Sequence, residues 1–404
     1  MHVLFADATA QSAIDTLNGL GHTVAVRSEL TADDLVGQLD EVDALVVRST
    51  RVNEAALGSS GQLALIVRAG AGVENIDMGA ASSRGVHVCN VPGRNAVAVA
   101  ELTMGLLLAV DRHIALATAD LKEGVWNKRT YSKADGVMGR TMGIIGLGEI
   151  GLRVAERAKA FGLVVIGQRR PGRSADMEAR IRAIGIRLVD TTEELVAESD
   201  IVSLHVPANS ETASLVDAAL LEHFRDNAIL LNTSRGDCVD EQALRAAIES
   251  KGIRAGLDVF RDEPGAGGTE FHSALAKHPS VVGTHHVGAS TSQAQPSITE
   301  GVVEAIEAFA AGAPLNCVNL APRGMGGSSL AIRHYDRVGV LAAIFGVLRG
   351  AGLNVQHMEN RVFEGRSAAV ASIDVSDGFN DSIKAELEAL PDVLGVAVLR
   401  SAAS

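Results

Sequence analysis

The stretch MGIIGLGEIGLRVAERAKAFG, residues 142–162, joins an apolar run to a helix-like segment through Gly146, Gly148 and Gly151. In a G-x-G-x-x-G set between a strand and a helix, each glycine has its own task. The first permits the tight turn, the second lets a pyrophosphate approach the backbone, and the third allows close helix–strand packing. The helix N-terminus adds partial positive charge for the phosphates. Glycine is abundant, 42 of 404 residues, so the spacing alone would say little. The strand before it and the helix after it make this a dinucleotide-binding turn. No Gly-Lys dipeptide occurs, which excludes a Walker A phosphate loop.

About twenty residues further on, such units carry an acid for the ribose hydroxyls. Here the next apolar run is VVIGQRRPGR, residues 164–173, with Arg169 and Arg170 where the acid is expected. An acid would repel a 2'-phosphate, whereas Arg169, Arg170 or Arg173 would pair with one. The expected cofactor is NAD or NADP, with Arg169 and Arg170 favouring NADP; the alternative is a solvated cluster that tolerates NAD.

Strand-like and helix-like segments of similar size alternate on both sides of this unit, the pattern of parallel α/β sheets. HVLFAD, GHTVAV, ALVVRS, ALIVRAG and VHVCNV form a first set of strands. A buried helix is expected from Asn95 to about Leu121. A second set follows: MGIIGLG, LVVIGQ, DIVSLHVP, AILLNTS, RAGLDV and VVGTHHVG, then the helical QPSITEGVVEAIEAFAAG. PRGMGGSS reads as a linker, and the remainder has a β-α-β-β-α-β order of the ferredoxin-like kind. The expected fold is α/β, with two doubly wound Rossmann-like domains and a C-terminal ferredoxin-like domain. Residues 1–93 and 286–314 would form the first domain, 94–285 the dinucleotide-binding domain, 315–328 a linker and 329–404 the last.

Apolar residues make up 47% of the chain and the net charge is −13, which argues against nucleic-acid or anionic-membrane partners. No apolar run approaches the ~18 residues of a membrane span, and the N-terminal MHVLFADA has no secretory pattern; cytoplasm is the expected location. Cys89, Cys238 and Cys317 are scattered and odd in number, which reads as reduced thiols.

Three polar sites fall where a parallel sheet puts its active crevice, at the carboxyl ends of strands. AILLNTSRG ends near Arg235, GLDVFRDEP carries Asp258 and Glu263, and VVGTHHVGAST carries His285 and His286. Singly, each has an ordinary explanation as an ion pair, a solvated charge or a bonded strand histidine. Together, after a dinucleotide turn, they supply the acid–base group, carboxylate clamp and orienting carboxylate that hydride transfer needs. Neighbours on a strand point to opposite faces, so His285 and His286 would not share an ion, and no metal is expected.

At these residues the chain resembles the D-isomer-specific 2-hydroxyacid dehydrogenases, and within them the phosphoglycerate-oxidising enzymes with a carboxyl-terminal ACT domain. RAGAGVENID, GIIGLGEIG, LLNTSRGDCVDEQAL, GLDVFRDEP and HVGASTSQAQ occur in family order. The resemblance implies that His286 is the general acid or base, that Glu263 pairs with it, and that Arg235 holds the substrate carboxylate. It implies that Asp258 faces the nicotinamide carboxamide, with further cofactor contacts from Glu149, Ile150, His205, Pro207, Thr233 and Gly288. Ala69 and Gly70 would approach the substrate carboxylate, and Arg48, Ser49 and Lys128 a substrate phosphate. The implied activity is oxidation of 3-phosphoglycerate, the first step of serine synthesis, by a homotetramer.

Two alternatives stay open: an NADPH-dependent hydroxypyruvate or glyoxylate reductase, and a dinucleotide-sensing corepressor-like protein. In the last domain, His334 and Asn354 match positions that contact a serine effector in relatives. Asp336 stands where they have Asn, and Val338 where they have Pro, so the effector stays open against a purely structural domain.

Overall fold

The computed structural model describes residues 1–28, 30–264, 268–321 and 327–399. They form two compact units, Met1–Asn319 and Leu320–Ser404.

The first unit begins with β1 (His2–Phe5), β2 (Thr23–Val26), β3 (Ala44–Val47), β4 (Leu65–Arg68) and β5 (His87–Asn90). These are the five apolar runs of the first set, in a parallel sheet ordered β2-β1-β3-β4-β5. Leu45, Val47, Ile66 and Val88 pack on one face with Leu35, Leu39 and Leu57. Phe5, Val46, Val67 and Cys89 pack on the other with Leu17, Val302 and Ile306. Cover on both faces is why β1, β3, β4 and β5 read as continuous apolar runs rather than alternating ones, while the edge strand β2 is mostly exposed.

The second sheet comprises β6 (Thr141–Ile145), β7 (Val164–Gln168), β8 (Arg187–Val189), β9 (Ile201–Leu204), β10 (Ile229–Asn232), β11 (Arg254–Leu257) and β12 (Val281–Gly283). All pairs are parallel, in the order β12-β11-β10-β9-β6-β7-β8. The order reverses between β6 and β9, which opens the crevice where such sheets take a ligand. β8 has no counterpart among the expected strands, because RLV is a three-residue edge strand too short to show a period.

The helix expected from Asn95 to Leu121 is two helices, Ala96–Asp111 and Ile114–Lys122, broken at His113 with φ of 54°. Only the first is buried; Ile114, Leu116 and Leu121 of the second are exposed. The helix Ala294–Ala310 returns to the first sheet, where Arg94 Nη2 donates to Glu304 at 2.5 Å. Residues 316–319 then lie along β5, with Val318 N donating to Val88 O at 2.8 Å, so the expected linker starts as an ordered edge. Its centre, residues 322–326, lies outside the described residues.

The second unit has β13 (Ser328–Tyr335), β14 (Val355–Val362), β15 (Ala368–Val375) and β16 (Val393–Leu399), with helices Val340–Gly350 and Asp381–Glu388. The antiparallel order β14-β15-β13-β16 is the ferredoxin-like arrangement. Leu330, Ile332, Ala371, Ile373 and Val375 bury one face of this sheet against Ile344, Leu348 and Leu387 of the helices.

At the end of the buried helix, Asp111 is fully enclosed, accepting from Arg140 Nη1 at 3.2 Å and from Gly136 N at 3.1 Å. Arg140 Nη2 also donates to Asp200 O at 3.2 Å, so the pair ties this helix to the start of the nucleotide sheet. Removing one partner of a buried pair strands the other charge, at a cost of about 3–5 kcal/mol. Asp111→Ala is expected to lower the unfolding free energy of the first unit by that amount in urea titrations, and Asp111→Asn by less.

Candidate active site

The glycine turn at the end of β6 has the shape its sequence requires. Gly146 has φ of 103°, and a Cβ there would lie 2.3 Å from His205 O; one on Gly151 would lie 2.0 Å from Gly146 O. Nothing lies within 4 Å of a Cβ built on Gly148, so that position faces open space. Gly148 caps the helix Glu149–Ala160 without a side-chain bond, so first-turn amides are left for a ligand. Glu149 turns away to a two-point pair with Arg180 at 2.6 and 3.1 Å, whose hydrogen bonds hold it below the usual carboxylate range. Ile150 packs on the apolar core under the helix. Burial pushes His205 down to about 3, so it is neutral; Nε2 meets Ser203 Oγ at 2.8 Å, and Nδ1 is buried without a partner. Pro207 O accepts from Thr212, and Thr233 Oγ1 meets Thr103 Oγ1 at 2.9 Å. The close glycine packing, the open space at Gly148 and the orphaned His205 Nδ1 fit a dinucleotide.

The arginines after β7 are less free than the sequence suggests. Arg169 Nε donates to Asp190 at 3.0 Å, with both side chains largely exposed, 61% and 78%. Asp190 directly follows β8, so an acid does stand beside the pocket, supplied by the neighbouring strand. Arg170 is exposed, and Arg173 Nη2 donates to Gln168 O at 2.7 Å.

His286 and Glu263 meet at the carboxyl end of this sheet, with Nδ1 2.6 Å from Oε2. Glu263 Oε1 also accepts from Phe260 N at 2.9 Å. Burial would raise Glu263, but bonds from His286 and Phe260, with the charge of Arg235, bring it below the usual range. A depressed carboxylate keeps its pairing above its ordinary pKa and loses it only as pH falls through the depressed value, so Glu263 is ionised across the neutral range. β12 ends at Gly283, so His285 and His286 lie in the loop beyond it and strand alternation does not govern their directions. What turns His286 is its left-handed backbone, φ 52°. Among the described residues no group of three or more His, Cys, Asp or Glu is placed to hold a metal ion.

Asp258, expected to face a nicotinamide, holds the loop beyond β12. It is 1% exposed, and its oxygens accept from Thr284 Oγ1 at 2.6 Å and from the amides of Val287 and Gly288, both at 2.9 Å. His286 N donates to Asp258 O at 2.8 Å, so Asp258 shapes the loop that presents the histidine.

Arg235 is also engaged. Nε and Nη2 grip Glu74 at 2.9 and 3.1 Å, and Nη1 donates to Ser234 O at 2.7 Å. Glu74, which the sequence reading did not single out, therefore sits on the fork expected to take a substrate carboxylate. Burial raises Glu74, but the charge and hydrogen bonds of Arg235 win and lower it.

A second arginine was missed. Arg68, the last residue of β4, has its Nε buried without a partner, and a Cβ on Gly70 would strike its Nη1 at 1.7 Å. Burial and the charges of Arg235 and Arg48, opposed by Glu74 and Asp7, bring it down to about 10. Gly70 itself has φ of 153°, and Ala69 N donates to Val47 O at 2.8 Å. Arg48 reaches Ser290 Oγ at 3.0 Å and Gln295 at 3.5 Å. Asp7 accepts from the amides of Arg48, Ser49 and Thr50 and fixes that turn. Lys128 joins none of this; it opens the exposed helix Lys128–Tyr131, and no contact with the arginines is seen among the described residues.

In the second unit the expected effector residues differ in burial. His334 is 2% exposed, with its ring nitrogens 2.8 Å from Tyr335 O and 3.0 Å from Asn360 Oδ1. That leaves it no free nitrogen for a ligand, while Asp336 and Asn354 are exposed.

A dinucleotide cradle at the switch point of a doubly wound sheet, with an imidazole–carboxylate pair at the carboxyl end of the same sheet, defines the class: a nucleotide-dependent dehydrogenase. Residues 104–288 match the NAD-binding domain of the D-isomer-specific 2-hydroxyacid dehydrogenases. The chain belongs to this family, since it is 41% identical over 279 residues to a hydroxypyruvate reductase of Thermotoga maritima, covering 88% of that protein and 69% of this chain. A D-3-phosphoglycerate dehydrogenase of Methanocaldococcus jannaschii is 39% identical over 309 residues, 76% of this chain. The match spans little more than half, 56%, of that relative's length. Among solved structures, an NADPH-dependent glyoxylate/hydroxypyruvate reductase from Sinorhizobium meliloti in complex with NADP and malonate superposes with a TM-score of 0.66 at 26% identity, covering 78% of this chain and 96% of that one.

Hydrogen bonds to a charged acceptor are worth about 1.5–3 kcal/mol each. Asp258→Ala removes three from the His286 loop, so the amides of Val287 and Gly288 are expected to exchange hydrogen at least about tenfold faster. Exchange mass spectrometry on peptides spanning 284–290 reads this directly.

Proposed function

We propose that this protein oxidises 3-phosphoglycerate to 3-phosphohydroxypyruvate, the entry reaction of serine synthesis, in the cytoplasm. The observation that carries this reading is the convergence of Arg48, Arg68 and Arg235 beside the His286–Glu263 pair. Three cations at one cleft repel one another, and an anionic substrate with a carboxylate and a phosphate relieves that repulsion. A nicotinamide cofactor, when bound, accepts or returns the hydride of C2. His286 takes the proton of the C2 hydroxyl, and ionised Glu263 stabilises the imidazolium that results. Arg235 binds the carboxylate by exchanging Glu74 for it, while Arg48 and Arg68 hold the phosphate. Asp258 keeps the loop of His286 in place.

The sheet of β1–β5 serves as substrate domain and the sheet of β6–β12 as cofactor domain, with the ferredoxin-like unit as an ACT module. A homo-oligomer, the tetramer expected from the family, is supported by exposed apolar side chains on the arm after His113, with Trp126 80% exposed. The similarity to the Thermotoga hydroxypyruvate reductase favours a second reading, reduction of an unphosphorylated keto acid.

The two readings separate on kcat/KM for 3-phosphohydroxypyruvate, hydroxypyruvate and glyoxylate. A phosphate held by charge-assisted bonds of about 1.5–3 kcal/mol predicts a preference of tenfold to a hundredfold or so for the phosphorylated acid. Arg68→Gln is expected to erase most of that preference while leaving hydroxypyruvate turnover within about threefold. Equal use of all three acids would favour the second reading.

NADP preference rests on Arg169 and Arg170, and an NADP-bound structural relative supports it. Arg169→Asp is expected to shift the ratio of NADPH to NADH kcat/KM towards NADH by about tenfold or more. An unchanged ratio would mean that these arginines are solvated bystanders.

A further inference from the structure

Two of the three cysteines, 228 positions apart in sequence, face each other in the fold. Residues 316–319 run antiparallel to β5, with Asn90 N donating to Asn316 O at 3.2 Å and Val318 N to Val88 O at 2.8 Å. These bonds flank Cys89 and Cys317 and make them a non-hydrogen-bonded pair, the arrangement in which facing side chains come closest, with Cα atoms about 4.5 Å apart. That spacing falls within the roughly 4.4–6.8 Å that a disulfide spans. Burial, then the neighbouring Cys317 thiol, pushes Cys89 up to about 12. Cys89 is fully enclosed, whereas Cys317 is partly open and bonds Asn319 Oδ1 at 3.3 Å. Cys238 is buried and belongs to the core of the other sheet.

We propose that Cys89 and Cys317 form a reversible cross-strand disulfide in response to a low-molecular-weight disulfide such as oxidised glutathione. Cys317 Sγ, the accessible sulfur, attacks the small disulfide as its thiolate and releases one small thiol. Cys89 Sγ, losing its proton to solvent, then attacks Cys317 Sγ and releases the second. The two cysteines lose two electrons and two protons, and the small disulfide is reduced to two thiols. The second step is the slower, because burial keeps the Cys89 thiol protonated. The bond staples residues 316–319, at the end of the first unit, onto β5. It also restrains the edge next to the active cleft, since Asn90, adjacent to Cys89, donates to Ala71 O at 2.5 Å in the loop after Arg68.

The full chain is incubated with oxidised glutathione, digested after alkylation, and examined by mass spectrometry. Expected are a glutathione adduct at Cys317 that rises and then falls, a Cys89–Cys317 linked peptide that replaces it, and recovery of both thiols with dithiothreitol. Cys238 stays free. In the oxidised protein the Val318 amide is expected to exchange at least about tenfold more slowly, because the segment no longer opens independently of β5. Cys317→Ser, at a partly exposed position that tolerates a hydroxyl, abolishes both effects. A stable glutathione adduct at Cys317 with no linked peptide overturns the proposal, as does slower Val318 exchange on oxidation in Cys317→Ser.

Discussion

The two-point pair between Arg235 and Glu74 is the contact on which the rest of the cleft depends. Glu74 follows β4 of one sheet and Arg235 follows β10 of the other, so the pair joins loops from separate layers. It also determines how the neighbouring arginines coexist. Arg68 lies between the charges of Arg235 and Arg48, and Glu74 with Asp7 supplies the opposing charge. On the proposed function, a substrate carboxylate, with the same charge as the Glu74 side chain, would take its place on the fork. Binding would then be an exchange of one carboxylate for another, and its net gain would come from groups beyond the fork, where a phosphate would contribute. Displacing Glu74 would also release the contact between the two layers, so ligand entry and the separation of the loops are linked.

On the far side of the cleft the same logic is built from neutral donors. A left-handed backbone at a residue other than glycine costs of order 1–3 kcal/mol, and His286 adopts it. Asp258 offsets this by collecting Thr284, Val287 and Gly288 around one buried carboxylate, while its carbonyl holds His286 N. The imidazole is therefore aimed by its own backbone and then fixed by Glu263. Glu263 is itself anchored by Phe260 N, so the imidazole–carboxylate pair stands on two loops that leave the sheet at β11 and β12.

Much of this was legible in the sequence, and what was not follows one pattern. Most of the strands show because strands buried on both faces must be apolar throughout; the edge strands β2 and β12 are more exposed and show only as short apolar runs, and β8 did not show because three residues at an edge carry no period. The glycine turn, Arg235, Glu263 and His286 stand out because each occupies a strand end in a repeating unit. Arg68, Glu74, Asp7 and Asp190 did not, because a charge, whether at the end of β4 or in a loop, looks ordinary until its partner from a distant segment is known. Asp258 was seen, but its part in holding the His286 loop was not, because nothing local indicates that its three partners lie some thirty residues ahead. The contacts of His334 were hidden for a related reason, since its ring partners Tyr335 O and Asn360 Oδ1 are set by the fold and not by the motif.

The pocket after β7 shows why a charge reversal in sequence is not a charge reversal in space. Arg169 replaces the usual acid, yet Asp190 from the adjacent strand returns a negative charge to within 3.0 Å of it. An exposed pair of this kind contributes only about 0–1 kcal/mol. A phosphate accepting from the same guanidinium gains about 1.5–3 kcal/mol, so it would draw Arg169 away from Asp190. The phosphate then meets the freed carboxylate, and the repulsion subtracts from what Arg169 and Arg170 supply. Selection between the two cofactors is thus the small difference between two arginines and one acid, and its sign depends on how far Asp190, 78% exposed, can turn into solvent.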